Sequence, residues 1–344
     1  QTPYYYLTHA NNKWSFEQYK ALVMDLSKKK EYGLSKKKVQ NLLYSEDITK
    51  ADVLRGFINR NINDTSYAAR VVLNTVQGYF RAKEMGTKVK ETCTVLSQEC
   101  IGKDIYSMWI QTKTIAGNAK PGQFVSVYTQ DGSKLLPRPI SLCEIDKEKG
   151  ALRLVYRVTG PKTGTESFSR LHAGAQLELL GPLGNGFPLE EAAGRKVFLM
   201  GGGIGVPPML ETMKQLDAKK IAVLGYRDEL FLNEEFEKNG EVYIATEDGS
   251  AGTKGNVMDA IRENDLEADV IFACGPKPML RAIKAYALEK GIPCWISMEE
   301  RMACGVGACL GCVCQSTETD AHSHVHNKRV CKDGPVFRST EVEL

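Results

Sequence analysis

Apolar residues recur at two different periods along this chain, and the period changes twice. Over the first ninety positions the spacing is helical. Tyr19, Leu22, Val23 and Leu26 follow Ser15, with Gln18 completing a capping box, and Val39, Leu42 and Leu43 follow Ser35. A third helix is predicted over Lys50–Asn59, and a longer one from Asp64 through Tyr67, Val71, Val72, Val76 and Phe80 to a stop at Gly86. From Glu91 the pattern shortens to strands: Thr92–Ser97, Ile105–Gln111, Gln123–Val127, Leu152–Val158 and Gln176–Leu180. Pro121-Gly122 and the glycine-rich stretch Gly181–Gly186 supply turns, and a helix is predicted over Thr165–Leu171. Short strands at this spacing predict a small antiparallel barrel. Beyond about residue 190, compact apolar strands alternate with helices. The strands are Val197–Met200, Ile221–Tyr226, Val242–Thr246, Val270–Cys274 and Cys294–Ser297, with helices over Val257–Glu263 and Lys277–Lys290. That alternation predicts a parallel sheet in an α/β domain.

The expected fold class is therefore multidomain. An N-terminal α-helical fragment (1–90) precedes an antiparallel β-barrel domain (91–190), an α/β parallel-sheet domain (191–298) and a C-terminal cysteine-rich loop domain (299–344). Composition fits two or three ordinary globular domains: 344 residues, 42% hydrophobic and 25% charged. No apolar run approaches the roughly 18 to 20 residues of a membrane span. The net charge of +3 hides an asymmetry, because residues 1–90 hold 16 Lys and Arg against 8 Asp and Glu while the rest holds 29 against 34. Such a contrast points to separate origins or partners. The ten cysteines are spread through a long chain with no secretory or targeting pattern, which predicts a reducing, cytoplasmic setting.

The densest chemistry lies at Glu299–Cys331. Cys304, Cys309 and Cys312 stand at C-x4-C-x2-C spacing with Cys331 further on, the plant-type arrangement in which four thiolates hold a [2Fe-2S] cluster. Gly305, Gly307 and Gly311 let the loop fold back and leave room for amides that donate to sulfur. A zinc site or a disulfide knot is the alternative; zinc sites usually pair their cysteines as two short knuckles, and this spacing gives three near ligands and one distant one. Cys314 breaks the spacing and is read as a bystander. His322, His324 and His326 form an H-x-H-x-H run that is read as a solvated loop, since four cysteine ligands are already present.

Two further motifs point to nucleotides. In Leu136-Pro137-Arg138-Pro139-Ile140-Ser141, an Arg held between prolines on extended backbone is placed to pair with a phosphate, and Ser141 to hydrogen-bond a planar heterocycle. Alone this is a weak signal, equally compatible with an ordinary kinked strand. Its company is Val155, Tyr156 and Arg157, then Gly164 and Thr165 opening a helix whose amides suit a pyrophosphate. Later, Val197–Met200 runs into Gly201-Gly202-Gly203-Ile204-Gly205-Val206-Pro207-Pro208, a strand, glycine loop and helix that offer amides to a dinucleotide phosphate. It is not the G-x-G-x-x-G fingerprint. Cys274, Gly275 and Pro276 end another strand, where open α/β sheets bind ligands; a lone Cys is usually plain packing, and the neighbouring Gly275-Pro276 favours the ligand site. Arg227 alone does not decide between NADH and NADPH.

Arg138–Ser141 with Gly164-Thr165 resembles the FAD-binding domain of the ferredoxin-reductase superfamily, and Cys274-Gly275-Pro276 its nicotinamide-binding half. With Gly201–Pro208 and the cysteine loop ending in Cys331-Lys332-Asp333-Gly334-Pro335-Val336-Phe337, residues 91–344 resemble the electron-transfer subunit family of dihydroorotate dehydrogenase B. The resemblance implies FAD, a [2Fe-2S] cluster on Cys304, Cys309, Cys312 and Cys331, and NAD(H) as substrate. It also implies an FMN-containing TIM-barrel catalytic subunit as partner, in a heterotetramer of two catalytic and two electron-transfer subunits serving pyrimidine biosynthesis, with no membrane. A hydride carrier and a one-electron cluster need a flavin between them. The competing reading is an NAD(P)H:ferredoxin-type reductase subunit with another partner.

The first ninety residues have a different resemblance. Thr2–Leu7, Ser15–Tyr19, Gly56–Asn61 and Asp64–Arg70 are similar to the segment of RNA-guided type II CRISPR effector nucleases between the HNH site and the last RuvC-like portion. The metal-activating motifs of those nucleases are absent, so this fragment is expected to be catalytically silent. Nucleic acid is a partner only if residues 1–90 function on their own, through sequence-independent phosphate contacts from lysines.

Overall fold

Six strands close into an antiparallel barrel in the order β1-β2-β5-β4-β3-β6. They are β1 (Val89–Gly102), β2 (Ile105–Gln111), β3 (Phe124–Tyr128), β4 (Arg138–Asp146), β5 (Ala151–Arg157) and β6 (Gln176–Leu183), with short helices α1 (Ile115–Asn118) and α2 (Gly164–Ser169) between them. The structure is a computed structural model that describes residues 88–131, 133–319 and 325–344. The helices and nuclease-like motifs expected before residue 88, and His322 and His324, lie outside the described residues. Residues 88–344 cluster as one unit.

The barrel interior is filled by Val95, Met108, Ile110, Val125, Val127, Leu142, Leu152, Leu154 and Leu179. β1 opens at Val89, two residues ahead of the expected boundary, and pairs along its length with β6 and β2. Glu91 in β1 accepts hydrogen bonds from the amides of Lys113, Thr114 and Ile115, which caps the start of α1. β4 was expected only as a short extended motif; in the structure Arg138–Asp146 is a full strand between β3 and β5.

The second sheet has seven strands in the order β10-β9-β8-β7-β11-β12-β15. Its parallel strands are β7 (Lys196–Gly202), β8 (Lys219–Tyr226), β9 (Glu241–Thr246), β10 (Thr253–Lys254), β11 (Val270–Cys274) and β12 (Cys294–Ser297). Helices α3 (Pro207–Gln215), α4 (Asn233–Glu237), α5 (Val257–Glu263) and α6 (Lys277–Lys290) connect them. Apolar runs such as Val197–Met200, fully buried, are what a sheet covered on both faces requires. Residues β13 (Val313–Gln315) and β14 (Asn327–Arg329) form a small ribbon, and β15 (Val336–Arg338) returns antiparallel to β12, so the C-terminal segment extends the sheet.

Barrel and sheet meet across a polar seam. Arg153, buried on β5, pairs with Glu144 of β4 at 2.7 Å and Glu235 of α4 at 3.4 Å, and Lys214 of α3 reaches Glu144 at 2.7 Å. Glu211 of α3, also buried, accepts from the Ile145 amide at 2.8 Å. Each buried charge therefore has a partner, as burial demands.

Candidate functional site

Arg138 begins β4, where its Nη1 donates to the carbonyl of Leu136 at 2.8 Å. It has no carboxylate partner among the described residues. Gly164, at the start of α2, lies directly against it: a Cβ there would stand 2.9 Å from Arg138 Nε. The loop leading into α2 is closed by its own hydroxyls. Thr163 caps the helix by accepting from the Glu166 amide at 3.2 Å, and Thr165 Oγ1 accepts from the Thr159 amide at 3.2 Å. Sequence spacing thus brings Arg138, Gly164 and Thr165 together in space. A cation without a carboxylate beside a helix start suits an anionic ligand.

The rest of that motif divides by face. Pro139 pairs with Ser126 of β3, Ile140 is buried, and Ser141 is half-buried opposite Phe124. On β5, Val155 and Tyr156 point into packed interiors while Arg157 is exposed. The Tyr156 ring stacks on Tyr106 with centroids 6.0 Å apart, and its hydroxyl donates to Gln98 at 2.8 Å. Burial pushes the Tyr156 phenol well above its ordinary pKa. The Val155 and Tyr156 side chains are therefore committed to the core, leaving the strand's backbone and Arg157 to face a ligand.

The glycine loop and the Cys274-Gly275-Pro276 turn come together at the carboxyl ends of β7 and β11, which pair with Cys274 opposite Gly201. From β7 the chain winds outward through β8, β9 and β10, and from β11 it winds the other way through β12. That reversal is the switch point at which open α/β sheets hold ligands. The two turns pack backbone to backbone. A Cβ on Gly205 would stand 2.3 Å from the Cys274 carbonyl, one on Gly202 2.4 Å from Met279 Sδ, and one on Gly275 2.6 Å from Met279 Cε. Gly203, at φ +53° with open space around its Cα, is the loop's left-handed residue. Burial pushes the Cys274 thiol up to about 12, against a hydrogen bond with Ser297. Arg227 is exposed and 3.9 Å from Glu247.

In the cysteine loop the backbone turns its amides toward sulfur. Cys304 Sγ accepts from Val306, Ala308 and Cys309 at 3.5, 3.3 and 3.4 Å. Cys331 Sγ accepts from Gly307 at 3.1 Å, Cys309 Sγ from Gly311 at 3.4 Å, and Cys312 Sγ from the Cys331 amide at 3.4 Å. Gly305 at φ +68°, Gly307 at φ +82° and Leu310 at φ +57° make these turns. Burial works against the Cys304 thiolate, but the amides and the neighbouring Cys309 thiol draw its pKa down to about 6. Burial and the Cys312 thiol instead push Cys331 up to about 12. The sulfurs associate as Cys304 with Cys309 and Cys312 with Cys331. Among the described residues no three His, Cys, Asp or Glu side chains gather around a single-ion position. Two pairs of cysteine sulfurs, each accepting from backbone amides, match the donor set of a two-iron cluster. Cys314 is buried on β13 and packed in the core, its thiol raised by burial. His326 has Thr319 Oγ1 at 3.2 Å.

Sequence reasoning missed what seats this loop. A Cβ on Gly305 would stand 2.8 Å from Ser126 Oγ, so the loop rests on β3, the strand paired with Pro139. Asn185, just after β6, donates its amide to the Gly334 carbonyl at 2.6 Å and its side chain to the Asp333 carbonyl at 2.9 Å. These contacts join segments more than a hundred residues apart, and nothing local in either stretch announces them.

A barrel whose Arg138 has no carboxylate partner among the described residues, a parallel sheet with a glycine-lined switch point and a four-cysteine loop define a flavin-type reductase of the ferredoxin-reductase fold with an iron–sulfur module. The iron–sulfur cluster binding domain of dihydroorotate dehydrogenase B matches residues 299–343. The electron-transfer subunit of dihydroorotate dehydrogenase B (NAD(+)) from Bacillus caldolyticus is 45% identical over 262 residues, 74% of this chain and 99% of that protein. The subunit of the same name from Bacillus cereus (strain B4264) is 44% identical over the same shares. The chain belongs to this family of electron-transfer subunits. Among solved structures, an NADH-dependent reduced ferredoxin–NADP oxidoreductase studied for flavin-based electron bifurcation superposes with a TM-score of 0.63 at 28% identity, over 73% of this chain and 89% of that one. The ferredoxin reductase of carbazole 1,9a-dioxygenase shares the fold at a TM-score of 0.50 and 23% identity, over 60% of this chain and 67% of that one. Among the described residues no helix is long and apolar enough to cross a membrane.

Proposed function

We propose that this chain relays electrons between NAD(H) and an FMN-bearing dihydroorotate dehydrogenase catalytic subunit, by way of FAD and a [2Fe-2S] cluster, in a cytoplasmic assembly of two catalytic and two electron-transfer subunits. The observation that carries this reading is the seat of the cysteine loop: Gly305 lies against Ser126, one strand over from the Arg138–Ser141 motif. The relatives named as electron-transfer subunits of the NAD(+)-dependent enzyme support a catalytic partner subunit and NAD as the nucleotide. The division into a barrel (91–190), a nucleotide domain (191–298) and a cluster domain (299–344) is the working assignment of roles.

Each part has a task. Arg138, with Gly164 and Thr165 beside it, holds the FAD pyrophosphate, while Pro139, Ile140, Ser141 and the backbone of Val155, Tyr156 and Arg157 line the flavin's strand face. Gly201, Gly202, Gly203 and Gly205 with Cys274, Gly275 and Pro276 admit the nicotinamide nucleotide by leaving its path free of side chains. Cys304, Cys309, Cys312 and Cys331 hold the cluster. When bound, the flavin exchanges a hydride with nicotinamide and single electrons with iron. Val306 and Leu310, 39% and 63% exposed on the loop's outer edge, are where the partner docks.

The test is Cys309→Ala. It should abolish cluster absorbance and electron transfer to the partner's FMN while NADH still reduces the bound flavin at an ordinary rate. Full-rate transfer to the partner without a cluster would sink the path. A second reading, a ferredoxin-type reductase with another partner, is favoured by the 28% identical bifurcating neighbour. Co-purification with an FMN protein against turnover with ferredoxin alone separates the two. Removing residues 1–87, which lie within the segment (1–90) expected to be nuclease-like, should leave the relay intact; salt-sensitive RNA or DNA binding confined to that segment would give it a role of its own.

A further inference from the structure

We infer that Arg329 is a positioning residue for the cluster, setting the amide hydrogen bonds to Cys304 and Cys331 from the far side of one peptide group; this rests on reading the four cysteines as cluster ligands. Arg329 ends β14, two residues before Cys331. Its Nε and Nη2 grip the Asp333 carboxylate at 3.1 and 3.3 Å, and the same carboxylate accepts from the Arg329 backbone amide at 2.8 Å. That grip aims Nη1 at the Gly307 carbonyl, 3.3 Å away.

The Gly307 carbonyl shares a peptide plane with the Ala308 N–H, and in a trans peptide the two point in opposite directions. Holding the oxygen on Arg329 therefore holds the N–H on Cys304 Sγ, at 3.3 Å. The other peptide of Gly307 donates to Cys331 Sγ at 3.1 Å, the shortest amide-to-sulfur contact in the loop. One residue thus serves a sulfur from each thiolate pair. It must be glycine, both for its φ of +82° and because a Cβ would fall 2.7 Å from Lys332 Cδ. A guanidinium on the carbonyl also polarises the peptide and strengthens its N–H as a donor. Donors to the sulfurs favour the more negative, reduced cluster. Arg329 accordingly favours the reduced state as well as retention.

A plain turn staple between Arg329 and Asp333 would give a different pattern of variants. Arg329→Gln, measured by EPR-monitored redox titration of the loaded protein, should lower the reduced-to-oxidised ratio at a fixed poise by on the order of tenfold, about 59 mV for one electron. It should also speed cluster loss to a chelator and shift the EPR signature of the reduced cluster. Arg329→Lys, a point cation unable to hold both Asp333 and the Gly307 carbonyl, should shift the potential the same way by less. Asp333→Asn keeps the guanidinium but loosens the grip that aims it, and should lower chelator resistance. A wild-type potential and spectrum in Arg329→Gln overturns the inference; if that variant takes up no cluster, the same result in Arg329→Lys does so. Wild-type protein lacking iron and sulfide would bring down the cluster reading itself.

Discussion

On the reading proposed above, the barrel and the parallel sheet each offer one face to a nucleotide, and they build those faces from opposite materials. The barrel presents a charge: Arg138, with no carboxylate partner among the described residues, is held at the start of α2 by the absence of a side chain on Gly164. The sheet presents absences: Gly202, Gly205 and Gly275 let the ends of β7 and β11 approach so closely that a single added carbon meets backbone or Met279. The first face is damaged by removing atoms and the second by adding them. That difference suits the two tasks proposed above, one site gripping a pyrophosphate permanently and the other admitting a dinucleotide that must come and go.

The strongest test of the contrast is Gly205→Val. Its Cβ would sit 2.3 Å from the Cys274 carbonyl and 2.7 Å from the Gly275 nitrogen, and neither backbone group can swing away. The loop must part from β11, so NADH-driven flavin reduction in stopped flow should fall by about a hundredfold, the scale of a misplacement of about 1 Å. FAD content and cluster absorbance should persist. An unchanged rate would remove the glycine loop from the nucleotide site and erase the contrast. Arg138→Ala comes next. Hydrogen bonds to charged groups contribute roughly 1.5–3 kcal/mol, so flavin retention on dialysis should weaken by about 10 to 100-fold. NADH turnover with saturating FAD should fall far less. Arg138→Lys should recover part of the affinity, since it keeps the charge and loses the fork.

The same two faces differ in how far the sequence announces them. The strands β7, β8, β11 and β12 are legible because a sheet covered on both sides imposes continuous apolar runs, and the cysteine spacing is legible because its ligands are near neighbours. β4 was hidden by Pro137 and Pro139, residues that ordinarily argue against an interior strand, yet Arg138–Asp146 runs between β3 and β5. On β5 the residues from Ala151 to Tyr156 are buried without alternation, so the strand's pattern names no face for a ligand. Ser126, Asn185 and Arg329 were out of reach for another reason. Each acts across a junction of distant segments, and only strand pairing brings those segments together. β15, three residues long, carries too little pattern to stand out from the tail around it.

The finest test asks whether Gly164 serves the cofactor or only Arg138. Alanine there would bring a Cβ to 2.9 Å from Arg138 Nε and 3.0 Å from its Cγ, both on a flexible side chain that can move aside. Alanine also gains up to about 1 kcal/mol over glycine in a helix, so stability should hold or rise slightly. Flavin affinity should drop only about threefold, through a displaced guanidinium. If that is the whole effect, the double variant Gly164→Ala/Arg138→Ala binds FAD no more weakly than Arg138→Ala alone, because the contact being disturbed is already gone. Additive losses in the double variant would show instead that the glycine itself borders the cofactor. The barrel face would then depend on a missing side chain as well as a charge, and the two faces would differ in degree rather than in kind.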